Sequence, residues 1–196
     1  MKYGEYWEQN GDRNMYKLFY SRQPNIHSYF NKWVDSIRPK SVLEVGCGDG
    51  IYSRSTFKNL NEYTGIDISR LAISEAQGQS VNMNHKFISG DFIKIDYNKK
   101  SDLVFSHSVI DHVYDINRFV EKALGLTNQY LYITAYNGFW PSLDKHEYRE
   151  ESTGTCYLNR VSTKELKSLF PQLTFNTFVD RGTPVTVIKN KDDCPI

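Results

Sequence analysis

Three glycines at alternate positions follow a short apolar segment of the chain. The segment is 41–45, it contains the acid Glu44, and the glycines are Gly46, Gly48 and Gly50. Because glycine has no side chain, its backbone can come close to a ligand. Open α/β sheets bind small molecules at the carboxyl ends of their strands. The spacing therefore predicts a strand that ends at the binding site of a nucleoside-bearing cofactor.

The residue after the third glycine distinguishes two kinds of nucleotide site. Turns that bind dinucleotides have the pattern Gly-x-Gly-x-x-Gly, whose last glycine lets a helix pack closely against the strand. Ile51 occupies that last position in this chain. The pattern therefore disfavours a pyrophosphate group and favours a cofactor without phosphates.

Acids also end the next two strand-like segments. The second segment ends in Asp67, at roughly the 20-residue separation from the glycine turn that ribose recognition requires. A carboxylate there can accept hydrogen bonds from both ribose hydroxyls, while Ile68 can pack on an adenine face. The third segment ends in Asp91, which Phe92 follows. Acids are unusual at the ends of buried parallel strands, although turn and cap chemistry is an alternative explanation.

The order of these segments resembles the class I S-adenosylmethionine-dependent methyltransferases, in particular their small-molecule branch. Motif I of that family is a hydrophobic strand followed by Glu/Asp-x-Gly-x-Gly-x-Gly, and residues 44–50 match it. A fourth strand in the family leads into a hydrophobic, acid, His, hydrophobic stretch, which resembles residues 110–113 after the strand-like segment 102–106. The resemblance extends from about residue 25 to residue 189.

The resemblance implies S-adenosyl-L-methionine as the cofactor and no metal. It also implies that Asp91 accepts a hydrogen bond from the adenine amino group. The full set of implied cofactor-binding residues is Glu44, Gly46, Cys47, Gly48, Asp67, Ile68, Asp91, Phe92, Ser106 and His107.

Two histidines are candidates for a catalytic base. Methyl transfer from a sulfonium depends mainly on alignment, but for a hydroxyl or carboxyl acceptor a base that takes the proton helps further. His107 directly follows the fourth strand-like segment, and imidazole titrates near neutrality. Two alternatives stay open for His107: its backbone holds the methionine part of the cofactor, or it is a satisfied polar group at a helix start. His146 is the second candidate base.

The segments between the strands have helical periodicity. Apolar residues recur at helical spacing over 26–37, and Pro39 ends that helix. Helix caps are predicted at Ser69, Asp115 and Ser162. Two strand-like segments, 173–179 and 184–188, come late in the chain. This alternation predicts an α/β fold with a doubly wound, mostly parallel seven-stranded sheet and a final antiparallel hairpin, the Rossmann-like methyltransferase fold.

We expect a single methyltransferase domain over residues 1–196, with two segments outside the core pattern. Residues 1–24 are rich in aromatic side chains, and in relatives such a segment often folds over the cofactor as a cap. The alternative is an aromatic-rich helix packed on the sheet. Residues 137–161 form a connection of a length typical of lids and binding loops, and we expect them to select the substrate.

Composition and charge disfavour some classes of binding partner. The net charge of +1 argues against a large binding surface for nucleic acid, and no apolar run is long enough to span a bilayer. The three scattered cysteines are typical of a reducing compartment. We therefore expect a cytoplasmic monomer or homodimer that binds neither DNA nor membrane and methylates oxygen or nitrogen of a small-molecule acceptor. The alternatives are methylation of a protein or RNA, and a methyltransferase-like binding module without catalysis.

Overall fold

The computed structural model describes residues 3–10, 24–150, 156–180 and 183–189. In chain order the strands are β1 (Ser41–Val45), β2 (Glu62–Asp67), β3 (Lys86–Ser89), β4 (Ser101–Ser106), β5 (Thr127–Thr134), β6 (Phe139–Trp140), β7 (Val161–Ser162), β8 (Thr174–Asp180) and β9 (Thr183–Lys189). The helices are α1 (Glu5–Asn10), α2 (Pro24–Ile37), α3 (Ile51–Arg54), α4 (Arg70–Gly78), α5 (Ile116–Gly125) and α6 (Thr163–Leu169), with a 3-10 turn at Ile110–His112.

A seven-stranded sheet forms the centre of the fold. Across the sheet the strands follow the order β3, β2, β1, β4, β5, β9, β8, while β6 and β7 form a separate pair. Strands β1 to β5 pair in parallel, and β9 is antiparallel to both β5 and β8. This topology confirms the predicted mostly parallel sheet with a final antiparallel hairpin.

Both faces of the sheet are covered, as a parallel sheet requires. Successive side chains of a strand point to opposite faces. Leu43 of β1 accordingly packs in one core with Phe119 of α5, whereas Val42 packs in a second core with Phe30 of α2. The strands are therefore apolar at successive positions, and polar side chains concentrate where the strands end.

Three helices begin at the side chains predicted as caps. The Ser69 hydroxyl accepts a hydrogen bond from the backbone N–H of Ala72 at 3.1 Å, at the start of α4. The Asp115 carboxylate caps α5, and the Ser162 hydroxyl caps α6. Capping satisfies backbone donors that have no partner within the helix. It also fixes where each helix leaves its strand.

The register of the sheet brings the strand ends together. Val45 near the end of β1 pairs with Ile66 of β2, and Asp67 at the end of β2 pairs with Ser89 of β3. Residues that follow these strands consequently leave the sheet at one edge, where open α/β sheets bind ligands. In the part of the chain described here, none of the helices is both long and apolar enough to cross a membrane.

The connection 137–161 is tied back to the fold through its described residues. Asn159 is fully buried, and its side-chain amide donates a hydrogen bond to the carbonyl of Val113 at 2.7 Å. Its backbone N–H donates to the carbonyl of Asp111 at 2.8 Å. The Asp111 carboxylate in turn accepts the backbone N–H of Asn137 at 2.7 Å. These buried bonds hold both ends of the connection against the 3-10 turn.

Candidate active site

A cavity lies at the carboxyl ends of β1, β2 and β4. Nine of the ten residues predicted to bind the cofactor line it: Glu44, Gly46, Cys47, Gly48, Asp67, Ile68, Asp91, Phe92 and His107. Ser106 does not line it, because its buried hydroxyl donates a hydrogen bond to the carbonyl of Val45 at 2.8 Å. The structure thus brings the predicted residues together, and their roles in binding stay predictions.

The glycine turn lies close to the segment that follows β4. Gly46 and Gly48 have φ angles of 77° and 52°, which side-chain-bearing residues rarely adopt. A Cβ atom at Gly46 would lie 2.2 Å from Cγ2 of Val109, so the position has no room for one. The backbone N–H of Gly46 donates to the carbonyl of Ile66 at 2.7 Å. Glycine is therefore required here for both backbone conformation and space.

Asp67 links the glycine turn to α4. One carboxylate oxygen accepts the backbone N–H of Gly48 at 2.9 Å, and the other accepts the backbone N–H of Ser69 at 2.9 Å. Burial raises the pKa of Asp67, although these peptide donors act in the opposite direction. A carboxylate oxygen has more than one lone pair, so each retains capacity for a ligand hydroxyl.

Acids dominate the polar lining of the cavity. They are Glu44, Asp49, Asp67 and Asp91. Burial holds the pKa of Glu44 well above its usual range, and the Tyr63 hydroxyl donates a hydrogen bond to this carboxyl. Asp49 pairs with Arg54 at 2.6 Å. No Lys or Arg is among the described residues that line the cavity, and those residues include no cluster suited to a metal ion. Since burial keeps Glu44 protonated and Asp49 is paired, Asp67 and Asp91 are the acids of the lining that favour a ligand with positive charge.

One end of the cavity suits a flat, partly polar ring. One carboxylate oxygen of Asp91 accepts the backbone N–H of Ile93 at 3.0 Å, and the other accepts the hydroxyl of Tyr114 at 3.0 Å. Ile68 and Phe92 line the cavity near this acid. An apolar slot beside a hydrogen-bond acceptor is the chemistry that an adenine with its amino group needs.

Two residues of the predicted N-terminal cap also line the cavity. The Tyr3 ring lies edge-on to Tyr114 with centroids 4.9 Å apart, and Trp7 packs against His112 at 5.0 Å. Burial and then the charge of Asp91 raise the pKa of Tyr3. Residues 1, 2 and 11–23 of the predicted cap lie outside the described residues. Covering of the cofactor by this segment stays a prediction.

His107 lies where the sequence placed it, in dense aromatic surroundings. Its Nδ1 is 3.2 Å from the hydroxyl of Thr134, and its Nε2 has no hydrogen-bond partner within the described ranges. The ring stacks on Tyr52 with centroids 5.0 Å apart and a 13° interplanar angle. Phe30 and Tyr132 pack edge-on at 4.8 and 5.3 Å. Burial lowers the pKa of His107 well below its usual value, so the imidazole is neutral at pH 7.

Two polar residues of the cavity were not identified from the sequence. His27 of α2 and Tyr52 of α3 both line the cavity, and the ring nitrogen Nδ1 of His27 forms a hydrogen bond with the Tyr52 hydroxyl. The available signal was the position of His27 three residues before Phe30, on the apolar stripe of its helix. A titratable side chain on a core-facing stripe is a candidate for a site.

His146 lies away from the cavity. Its Nδ1 accepts the backbone N–H of Ser162 at 2.9 Å, and its Nε2 is 3.0 Å from the side-chain oxygen of Asn117. The Glu165 carboxylate accepts the backbone N–H of His146 at 2.6 Å. With both ring nitrogens bonded, His146 fixes the start of α6, and this position gives no support to its predicted role as a base. The described residues of 137–161 likewise add nothing to the cavity lining, so substrate selection by this connection stays a prediction.

Part of the chain matches a family model. Residues 43–129, which include the end of β1, all of β2 to β4 and most of the cavity lining, match the family described as a methyltransferase domain. Over this segment the chain is similar to the class I S-adenosylmethionine-dependent methyltransferases. The cofactor of this family is S-adenosyl-L-methionine, which carries positive charge and an adenine ring. The acidic lining and the slot beside Asp91 fit those two features of the methyltransferase cofactor.

Curated relatives include methyltransferases with and without a known role. The chain is 28% identical over 122 residues to the ubiquinone biosynthesis O-methyltransferase of Hydrogenovibrio crunogenus, an alignment that covers 60% of this chain and 49% of that protein. It is 24% identical over 145 residues to an uncharacterized methyltransferase of Mycobacterium bovis, covering 71% and 74% of the two chains. The chain thus spans about half the length of the O-methyltransferase that it matches.

The fold of the chain resembles solved structures. Magnesium protoporphyrin IX methyltransferase from Synechocystis, solved with bound S-adenosylhomocysteine, superposes with a TM-score of 0.67 at 14% identity. The superposition covers 94% of this chain and 95% of that chain. At this identity the likeness establishes the shared fold.

Proposed function

We propose that this chain transfers a methyl group from S-adenosyl-L-methionine to an oxygen of a small-molecule acceptor. The observation that carries this proposal is a single cavity, lined at one part by Asp67 and Asp91 and at another by His27, Tyr52 and His107. A hydroxyl loses its proton during methylation; an imidazole can take a proton, and a phenol hydroxyl can relay one by passing its own proton to a base. The name of the O-methyltransferase relative supports oxygen as the acceptor atom.

In this proposal the cofactor lies along the strand ends. Asp67 accepts hydrogen bonds from the ribose hydroxyls, and Asp91 accepts one from the adenine amino group. Ile68 and Phe92 pack on the adenine, and the backbone from Gly46 onward lies against the methionine part. When bound, the cofactor supplies an activated methyl group on a sulfonium. The protein supplies alignment, exclusion of water and a route for the acceptor proton.

Methyl transfer to defined acceptor classes tests this proposal. The purified chain is incubated with S-adenosylmethionine labelled in its methyl group and with separate sets of hydroxylated small molecules, small amines, total RNA and denatured protein. We expect label in the hydroxylated small molecules. Label in RNA or protein alone would overturn the proposed acceptor class in favour of a macromolecule.

A binding measurement separates an inactive module from an enzyme without its substrate. Calorimetry with S-adenosylhomocysteine is expected to show one site, and NADH is expected not to bind. A chain that binds S-adenosylhomocysteine but methylates no acceptor class would indicate a methyltransferase-like binding module. A chain that binds NADH and not S-adenosylhomocysteine would overturn the cofactor assignment.

A further inference from the structure

Three polar side chains lie together at the part of the cavity away from Asp91. They are His27 of α2, Tyr52 of α3 and His107 after β4, and we call them the polar wall. His27 and Tyr52 form a hydrogen bond, and the His27 ring lies 5.7 Å from the His107 ring. The three come from separate elements, so the fold assembles this group and local chain geometry does not.

The pair of His27 and Tyr52 has the arrangement of a proton relay. Tyr52 is 3% exposed and His27 is 9% exposed, so bulk water has little access to either side chain. A tyrosine hydroxyl both donates and accepts hydrogen bonds. The Tyr52 hydroxyl can therefore donate to Nδ1 of a neutral His27 and accept from an acceptor hydroxyl.

His107 is a poorer candidate for direct proton transfer. Aromatic rings enclose it, including Phe30, Phe105 and Tyr132, and its Nε2 is buried. A general base works best when its pKa is near the working pH, and burial lowers the pKa of His107 far from that value. Its parallel stacking on Tyr52 suits it instead to hold the Tyr52 ring in place.

We propose that Tyr52 is the catalytic residue that takes the acceptor proton and passes its own proton to His27, while His107 is a positioning residue for Tyr52. This inference rests on the proposed function. In the step, the acceptor oxygen forms the new O–C bond with a lone pair, and the electron pair of the broken S–C bond stays on sulfur. The acceptor proton goes to Oη of Tyr52, and the Tyr52 proton goes to Nδ1 of His27.

The charges balance in this step. The sulfonium loses its positive charge as it becomes a thioether, and His27 gains one as it becomes an imidazolium. After the products leave, His27 releases its proton to water that enters the emptied cavity, which restores the neutral pair for the next acceptor. His27 exchanges its proton with Tyr52 and not with the acceptor, so it acts on the acceptor through Tyr52.

The polar wall also indicates the class of acceptor. Aromatic side chains also line the cavity, among them Trp7 and Tyr136. Asp67 and Asp91 in the lining disfavour carboxylates and phosphates, and no Lys or Arg is among the described lining residues. An uncharged aromatic ring that bears a hydroxyl fits these surroundings, since aromatic faces stack and the hydroxyl reaches Tyr52.

A chromogenic phenol tests this inference by a readout other than turnover. 4-Nitrophenol is added to the chain saturated with S-adenosylhomocysteine, and absorbance reports whether the bound phenol has given up its proton. The variants are Tyr52→Phe and His27→Gln. The matched control is Tyr132→Phe, because Tyr132 packs on the same His107 ring but lies outside the cavity lining. Thermal unfolding and S-adenosylhomocysteine affinity establish that each variant is folded.

The outcomes are distinct. We expect the wild type and Tyr132→Phe to bind 4-nitrophenol with a raised nitrophenolate fraction, and both Tyr52→Phe and His27→Gln to lose that rise. Tyr52→Phe is also expected to lower the rate of methylation by about 10²–10⁴-fold. A Tyr52→Phe protein that matches Tyr132→Phe, or a loaded wild type that neither binds nor ionises 4-nitrophenol, would overturn the relay. Failure of the wild type to bind S-adenosylhomocysteine would instead overturn the proposed function.

Discussion

The imidazole of His107 stacks on the phenol ring of Tyr52 with centroids 5.0 Å apart and planes 13° from parallel. The Thr134 hydroxyl fixes the His107 ring and the residue after it. It lies 3.2 Å from Nδ1 of His107 and accepts the backbone N–H of Ser108 at 3.3 Å. Ser108 has a φ angle of 57°, an uncommon conformation for a residue with a side chain. The turn after β4 is therefore shaped to present the His107 ring to Tyr52.

Replacement of His107 distinguishes a positioning role from a basic one. Since stacking needs a flat ring and not a titratable nitrogen, we expect His107→Phe to stay within about tenfold of the wild-type rate, and His107→Ala to lose about 10²-fold through misplacement of Tyr52. S-adenosylhomocysteine affinity, measured by calorimetry, should change little in both variants. If both variants lose activity equally by about 10²–10⁴-fold, His107 is the base that the sequence suggested.

Replacement of Gly46 tests the close approach of the glycine turn. A Cβ atom at Gly46 would lie 2.2 Å from Val109. The φ angle of 77° at this position is also one that residues with a side chain rarely adopt. We expect Gly46→Ala to destabilise the fold by about 1–3 kcal/mol and to weaken S-adenosylhomocysteine binding by tenfold or more. Gly125→Ala is the control, since a Cβ atom there meets nothing within 4 Å. Equal stability and equal affinity in the two variants would show that the turn tolerates a side chain.

The strand ends could be predicted because their signals are local in sequence. Gly46 directly follows β1 and Asp67 ends β2, while Gly48 and Asp91 come within three residues of the ends of β1 and β3, so the rule that parallel strands end at one edge was enough to bring them together. His27 and Tyr52 are 25 residues apart, and their contact depends on how α2 crosses the sheet. Periodicity gives the face of a helix but not its crossing position, so the pair required the structure.

The capping box at α6 shows the same limit. Ser162 and Glu165 have the spacing of a capping box, in which two residues form reciprocal bonds, and the backbone N–H of Glu165 does donate to the Ser162 hydroxyl at 3.1 Å. The reciprocal bond, from the backbone N–H of Ser162 to the Glu165 carboxylate, is replaced by two others. The backbone N–H of Ser162 donates to the ring of His146, and the Glu165 carboxylate accepts the backbone N–H of His146. A partner distant in sequence completes the cap, and local patterns contain no information about it.

His146 is expected to matter for stability and not for binding. His146→Ala leaves the backbone N–H of Ser162 without its acceptor, so we expect a loss of about 1–3 kcal/mol in the free energy of unfolding. Because His146 lies outside the cavity lining, S-adenosylhomocysteine affinity should match the wild type. A variant that keeps its stability but loses affinity would assign His146 to the site after all.

The pH dependence of stability gives a second test of His146. Burial lowers its pKa in the folded state below the ordinary value of 6.5. Between the folded and unfolded pKa values the unfolded chain binds more protons, so stability falls as pH drops below about 6.5. Denaturant unfolding at a series of pH values should show a shallower acid loss in His146→Ala than in the wild type. Parallel curves would contradict the neutral, doubly bonded state of His146.

The most direct test of the cofactor site is the affinity of Asp67→Ala for S-adenosylhomocysteine, measured by calorimetry. The central claim is that Asp67 receives the ribose hydroxyls, so the variant should lose about 1.5–3 kcal/mol of binding, roughly 10-fold to 150-fold. Glu62→Ala is the matched control, because Glu62 begins the strand that Asp67 ends and its side chain is 58% exposed. The account predicts wild-type affinity for Glu62→Ala and a large loss for Asp67→Ala. A folded Asp67→Ala protein that binds S-adenosylhomocysteine as tightly as Glu62→Ala would contradict it.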